Sequence, residues 1–184
     1  MQIITNKHAF LLILAILIVG GLASGLSQSV KRPSFGVPVT DFESCIAEGG
    51  TVMESYPEQC RTRSGEVFVR DIGNGLEKSD LIQSTFPRPG EIIESPLIAT
   101  GQARGYWFFE ASFPVYIIND ANEMLGVGFA TADDEWMTED FVPFSAEVQF
   151  DPKGAKKGFV ILKKDNPSGL PEHDDSLRIP VRFE

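Results

Sequence analysis

The sequence predicts a mainly β protein: an antiparallel β-sandwich, preceded by a small disulfide-linked α+β module and an N-terminal hydrophobic helix. Three observations carry that expectation. Hydrophobic residues alternate with polar ones at period two through most of the chain after residue 91, the two cysteines fall together in a short Gly-rich stretch, and His8 to Val30 holds no Asp, Glu, Lys or Arg. The order these features imply is 1–30 signal peptide or membrane anchor, 31–40 linker, 41–73 cysteine module, 74–90 linker and 91–184 sandwich.

The leader has no polar face to meet solvent, so it does not read as a buried core helix of a globular domain. Its densest part is Ala9 to Val19, AFLLILAILIV, followed by GGLASGL. Ala9 to Leu26 is 18 residues, or about 27 Å as a helix, which is marginal for a full span. Lys7 ahead of the run and Ala23, Ser24 and Gly25 behind it supply the parts of a secretory signal. Lys31 and Arg32 on the far side weaken a positive-inside bias. The length of the run favours a retained anchor over a cleaved signal. Either way the body is expected outside the cytoplasm, in the cell envelope, or secreted or periplasmic if the leader is removed.

PSFGVPVT, residues 33–40, reads as an extended linker with two prolines. In the module that follows, Asp41 is placed to cap a short helix through Ala47, and Gly49-Gly50 to end it. Thr51 to Glu54 reads as a strand, and Ser64-Gly65 as the turn between Arg61–Arg63 and Glu66–Arg70. So short a segment cannot build a core of its own. Cys45 and Cys60 are the only cysteines, with 14 residues between them. An exported chain meets oxidising conditions, so a structural disulfide is expected rather than a redox pair, for which C-x-x-C spacing is absent. Closing such a loop stabilises by about 3 kcal/mol in the chain-entropy picture. YPEQCRTRSGEVF resembles the core of Kazal-type protease inhibitors, although those rely on several disulfides and this chain can form one. The C-x-E-G-G…Y-P-x-x-C pattern also resembles a small module of exported bacterial proteins.

Gly73 to Pro89 is rich in Gly, Ser, Pro and charge and reads as a second linker. Beyond it, strands are expected at Ile92–Glu94, Leu97–Ala103, Phe113–Ile117, Leu125–Phe129, Phe144–Phe150, Gly158–Lys164 and Leu177–Phe183, with Asn/Asp/Gly/Pro turns between them. About seven short strands without an amphipathic helix indicate a sandwich of immunoglobulin type. Pro114 and Pro180 interrupt strand patterns, so those strands should be edges or bulged there. Gly126 and Gly128 share a face that a large aromatic, such as Trp136, or another backbone should cover.

IIESPLIATGQARGYWFFEASFPVYIIND, WMTEDFVPFSAEVQF and GFVILKKDNPSGLPEHDDSLRIPVRF together resemble the immunoglobulin-like domain of bacterial spore germination proteins, the domain found beside GerMN domains. Here the two-cysteine module precedes it instead. The resemblance covers about Glu91 to Glu184, and implies an immunoglobulin-like sandwich in an exported or envelope protein, with no known catalysis.

The densest candidate surface is Arg104, Tyr106, Trp107, Phe108, Phe109 and Glu110, together with Trp136. Aromatics beside an Arg and a Glu can stack on a sugar or anchor a protein. Trp and Phe near a strand end are more often core, and Arg104 has Glu110 or a loop Asp as expected partners. Asp133, Asp134, Glu135, Glu139 and Asp140, like Asp174 and Asp175, offer oxygens of the kind calcium takes, but no D-x-[DN]-x-[DN]-G loop is present. No metal site and no cofactor is assigned. His173 is the single histidine after the leader, in the polar loop PEHDD, and no G-x-S-x-G elbow occurs. The sequence counts 16 Lys+Arg against 26 Asp+Glu, a formal charge of −10. That charge disfavours nucleic acid. The sequence therefore points to a non-catalytic binding module for an envelope protein or a cell-wall polymer, membrane-associated through its leader. A secreted hydrolase or Kazal-like peptidase inhibitor is the alternative.

Overall fold

The computed structural model describes residues 38–184. The leader expected at 1–30 lies outside the described residues, as does most of the first linker. Among the described residues no helix is long and apolar enough to cross a membrane.

Asp41 starts helix α1 (Phe42–Ala47) with a reciprocal cap. Its Oδ1 accepts from the Ser44 amide at 2.8 Å, and the Ser44 hydroxyl accepts from the Asp41 amide at 3.0 Å, so two donors at the helix start are satisfied. Gly49, at φ 78°, ends the turn as expected. Three short strands follow: β1 (Thr51–Met53), β2 (Gln59–Arg61) and β3 (Val67–Val69), antiparallel in that order. Cys45 and Cys60 are bonded and fully buried with Phe42, and Val39 and Phe68 pack against them. Gly50 allows this closeness, because a Cβ there would sit 2.5 Å and 2.6 Å from the two sulfurs. The Arg70 guanidinium lies 4.2 Å from the Phe42 ring centroid and pairs with Glu58 (2.6 Å) and Glu43 (3.2 Å). The expected disulfide-linked α+β unit is what forms.

The segment expected as a second linker is structured. Helix α2 (Gly75–Lys78) leads to strand β4 (Ile82–Phe86), which pairs antiparallel with β6 (Leu97–Arg104). A bulge between Ser84 and Phe86 and the prolines at 87 and 89 then stop the ladder. The chain crosses over and pairs as β5 (Ile92–Ile93), parallel to the end of β11 (Ser176–Phe183). Beside α2, Asn74 covers the remaining free edge of β11. Its carboxamide donates to the Ser176 carbonyl (2.9 Å) and accepts from the Arg178 amide (2.7 Å), as a neighbouring strand would. An edge left open invites pairing with another chain, and this side chain closes it.

The remaining strands are β7 (Ser112–Asn119), β8 (Met124–Ala132), β9 (Phe141–Val148) and β10 (Lys157–Lys163). Pairing runs β4-β6-β9-β8-β7-β10-β11-β5. The β7–β8 hairpin lies at the middle of this order. Inward residues of all eight strands meet in one core. Phe113 of β7 packs edge-on against Phe144 of β9 at 5.0 Å, and Phe150 against Phe183 at 5.6 Å. The alternation read from sequence is this burial pattern: in β11 every second residue from Leu177 to Phe183 is buried.

The proline and glycine expectations resolve in geometry. The β10 ladder on β7 stops at Val115, so Pro114 has a partner strand on one side only. At Pro180 the outer side of β11 is met by the Gly90 amide donating to the Pro180 carbonyl at 2.8 Å, not by a strand. Gly126 and Gly128 are covered by the end of β9 and the residues after it: the Gln149 carbonyl and Phe150 Cβ are each 2.6 Å from where a Gly126 Cβ would lie, and the Val148 side chain 2.9 Å from a Gly128 Cβ. Trp136 does not cover that face.

Candidate functional site

Antiparallel registers fix which loops share an end. β6 finishes where β7 begins, β8 finishes where β9 begins, β10 finishes where β11 begins, and β4 begins opposite the end of β6. Residues 75–81, 105–111, 133–140 and 164–175 therefore gather at one end of the sandwich. The loops are tied together there. The Gly105 amide donates to the Asp140 carbonyl (3.2 Å) and the Asp165 amide to the Trp107 carbonyl (3.0 Å). A Cβ at Gly105 would collide with the Trp136 and Thr138 carbonyls, so only glycine lets the two loops touch.

The aromatic run divides by conformation. A 3₁₀ turn over Gly105–Trp107 turns Trp107 and Phe108 inward, 0% and 4% exposed, while Tyr106 and Phe109 stay 50% and 42% exposed. Tyr106 lies within the turn, Phe108 is already extended, and Phe109 follows beyond it. The run ends in a two-residue hairpin turn: Glu110 and Ala111 sit at φ 50° and 61°, between reciprocal bonds of Phe109 and Ser112. This is the backbone of a type I′ turn, usually filled by Asn or Gly, and here Glu110 is held at its exposed tip.

Arg104 pairs with neither Glu110 nor a loop aspartate side chain. Its Nε donates to the Asp80 carbonyl (2.9 Å) and its Nη1 to the Glu139 carbonyl (3.2 Å), and its guanidinium lies 4.1 Å from the Phe141 ring centroid. It serves as a brace between three loop segments. Trp136 is half-buried against the core. With Gly105, Tyr106, Met137, Thr138 and Glu139 it lines an open groove of about 420 Å³. Met137, 74% exposed, is a groove residue that sequence reading missed, as are Gly105 and Thr138. Lys164 Nζ lies 5.9 Å from the Tyr106 ring centroid.

The acidic loops do not converge. Asp133 accepts from the Ser145 hydroxyl (2.8 Å) and Glu135 from the Met137 amide (3.1 Å). Asp174 accepts from the Asn166 side-chain amide (2.9 Å). That bond, with Lys163 close by, holds the Asp174 carboxyl below its ordinary value. Among the described residues no three His, Cys, Asp or Glu side chains stand close enough to hold a metal ion. His173 is exposed on a short 3₁₀ turn, Pro171–His173.

A second concavity lies where the cysteine module meets the sandwich, about 250 Å³, lined by Phe42, Lys157, Phe159, Pro180 and Arg182 among others. The Asp41 carboxylate meets Lys157 Nζ there at 3.1 Å. Its pKa is lowered to about 2, first by the Ser44 hydroxyl and amide and then by Lys157. The carboxylate that caps α1 thus also ties the module to β10.

Eight strands around one core, in this order, define an immunoglobulin-like β-sandwich. Residues 81–169, a little under half of the chain, are similar to the immunoglobulin-like domain of bacterial spore germination, Gmad2, whose family model they match. The match starts at the threshold of β4, so the domain begins before residue 91 and takes in what read as linker. A search of curated proteins and a search of solved structures each find no match.

Proposed function

We propose that this protein is an exported, non-catalytic interaction module whose sandwich presents the Tyr106–Trp136–Met137 groove to a protein or cell-wall polymer of the envelope. The observation that carries this reading is the division of the aromatic run. Trp107 and Phe108 are sunk in the core and fix the loop, while Tyr106, Phe109 and Met137 are left exposed at one end of the sandwich. Recognition surfaces favour such anchors on rigid supports, because little side-chain entropy is lost on docking. The apolar leader and the closed disulfide support a place outside the cytoplasm.

In-cell photo-crosslinking tests it. A photoreactive residue in place of Tyr106 or Met137 is expected to give a discrete adduct, and one in place of Glu94, at the opposite end, none. Equal labelling at all three positions, or none at 106 and 137, contradicts the proposal.

A further inference from the structure

The groove's surroundings select among partners. The whole chain carries a formal −10. The four segments that meet at the groove end, 75–81, 105–111, 133–140 and 164–175, contain twelve acidic residues and two lysines. Elsewhere the described residues hold fourteen acids against eleven bases, so most of their net negative charge sits at this one end. Three of the four nearby cations are committed, and the fourth, Lys164, lies beside the Tyr106 ring. Lys78 pairs with Asp175 (2.6 Å), Lys163 with Asp174 (3.4 Å), and Arg104 is held by two carbonyls. None of the ion pairs among the described residues involves an acid of 133–140.

Resting on the reading of this end as an interaction surface, we propose that the groove lined by Tyr106, Trp136 and Met137 docks a basic polypeptide segment. One apolar side chain of that segment seats in the groove, and its lysines or arginines lie against the carboxylates around it. Three features favour such an occupant. The carboxylates are dispersed, which suits charges spaced along a chain rather than a single ion. A polyanion would be repelled, whereas a polycation is steered in by the field of the whole end. Methionine at the groove wall adapts to different apolar anchors.

The test measures binding of the full-length protein to a labelled peptide of about twelve alternating lysines and leucines, with a glutamate–leucine counterpart as control. Only the lysine peptide is expected to bind, with affinity falling at least about tenfold between about 0.05 and 0.5 M salt. Asp134→Lys with Glu139→Lys should weaken it about tenfold. Glu94→Lys with Asp120→Lys, the same change of net charge at the other end, should change it less than about twofold. Tyr106→Ser with Met137→Ser should weaken it about fivefold without altering the melting curve.

Equal loss from both charge pairs would overturn the proposal, as would binding of the glutamate peptide or no binding of the lysine peptide. If the lysine peptide fails while residues 106 and 137 still crosslink in cells, the interaction surface stands and its basic partner does not. If both fail, both readings fall.

Discussion

Replacing Trp107 with alanine is expected to lower the unfolding free energy by about 3–5 kcal/mol, the scale for deleting a large buried aromatic. Trp107 is the largest fully buried side chain among the described residues and belongs to the cluster shared by all eight strands. Its loss leaves a void beneath the loops that form the groove. The indole Nε1 has no hydrogen-bond partner among the described residues. Trp107→Phe therefore orphans no polar group and should cost much less. Tyr106→Ala, one residue away but half exposed, should stay within about 0.5 kcal/mol of the parent. Denaturant titration of the three variants checks this. A Trp107→Ala protein as stable as the parent would mean that the indole is not core.

Cys45→Ala is expected to cost the module about 2–5 kcal/mol. Its buried cluster is Phe42 and the two cysteines, with Val39 and Phe68 at the margin, too little apolar surface to hold three-residue strands without the crosslink. Limited proteolysis should cut the variant between residues 41 and 73 while the sandwich survives. The mass of the resistant fragment is the informative readout. It should begin ahead of Ile82, because β4 is hydrogen-bonded into the sheet and Asn74 to β11. A fragment beginning after residue 91 would detach β4 from the domain, and unchanged resistance would show the crosslink to be dispensable.

The parts of this fold legible in the sequence are those where burial alternates. β9 and β11 bury every second residue, and the one-sided prolines were readable because a missing amide can be tolerated only where a ladder ends. β4 was not legible for the opposite reason. It is an edge strand with one deeply buried residue, Ile82, and Gln-Ser-Thr between it and Phe86 reads as a polar connection. The four residues of α2 are too few for any periodicity to show. Within Tyr-Trp-Phe-Phe, composition marks a dense cluster but not its inside and outside. The 3₁₀ turn makes that division, and it depends on Gly105 approaching the 136–138 backbone, a contact across more than thirty residues of chain. Met137 gave no signal of its own. The acidic runs were visible singly, but their gathering at one end follows from strand direction, which only the pairing registers supply.

The proposed function requires a body that works beyond the cytoplasm with Cys45 bonded to Cys60. Maleimide labelling of the native protein in fractionated cells, with and without reductant, tests this most directly. The protein is expected in the envelope or extracellular fraction, with both cysteines unlabelled until reduction. Recovery from the cytosol with both thiols labelled before reductant is added would contradict it.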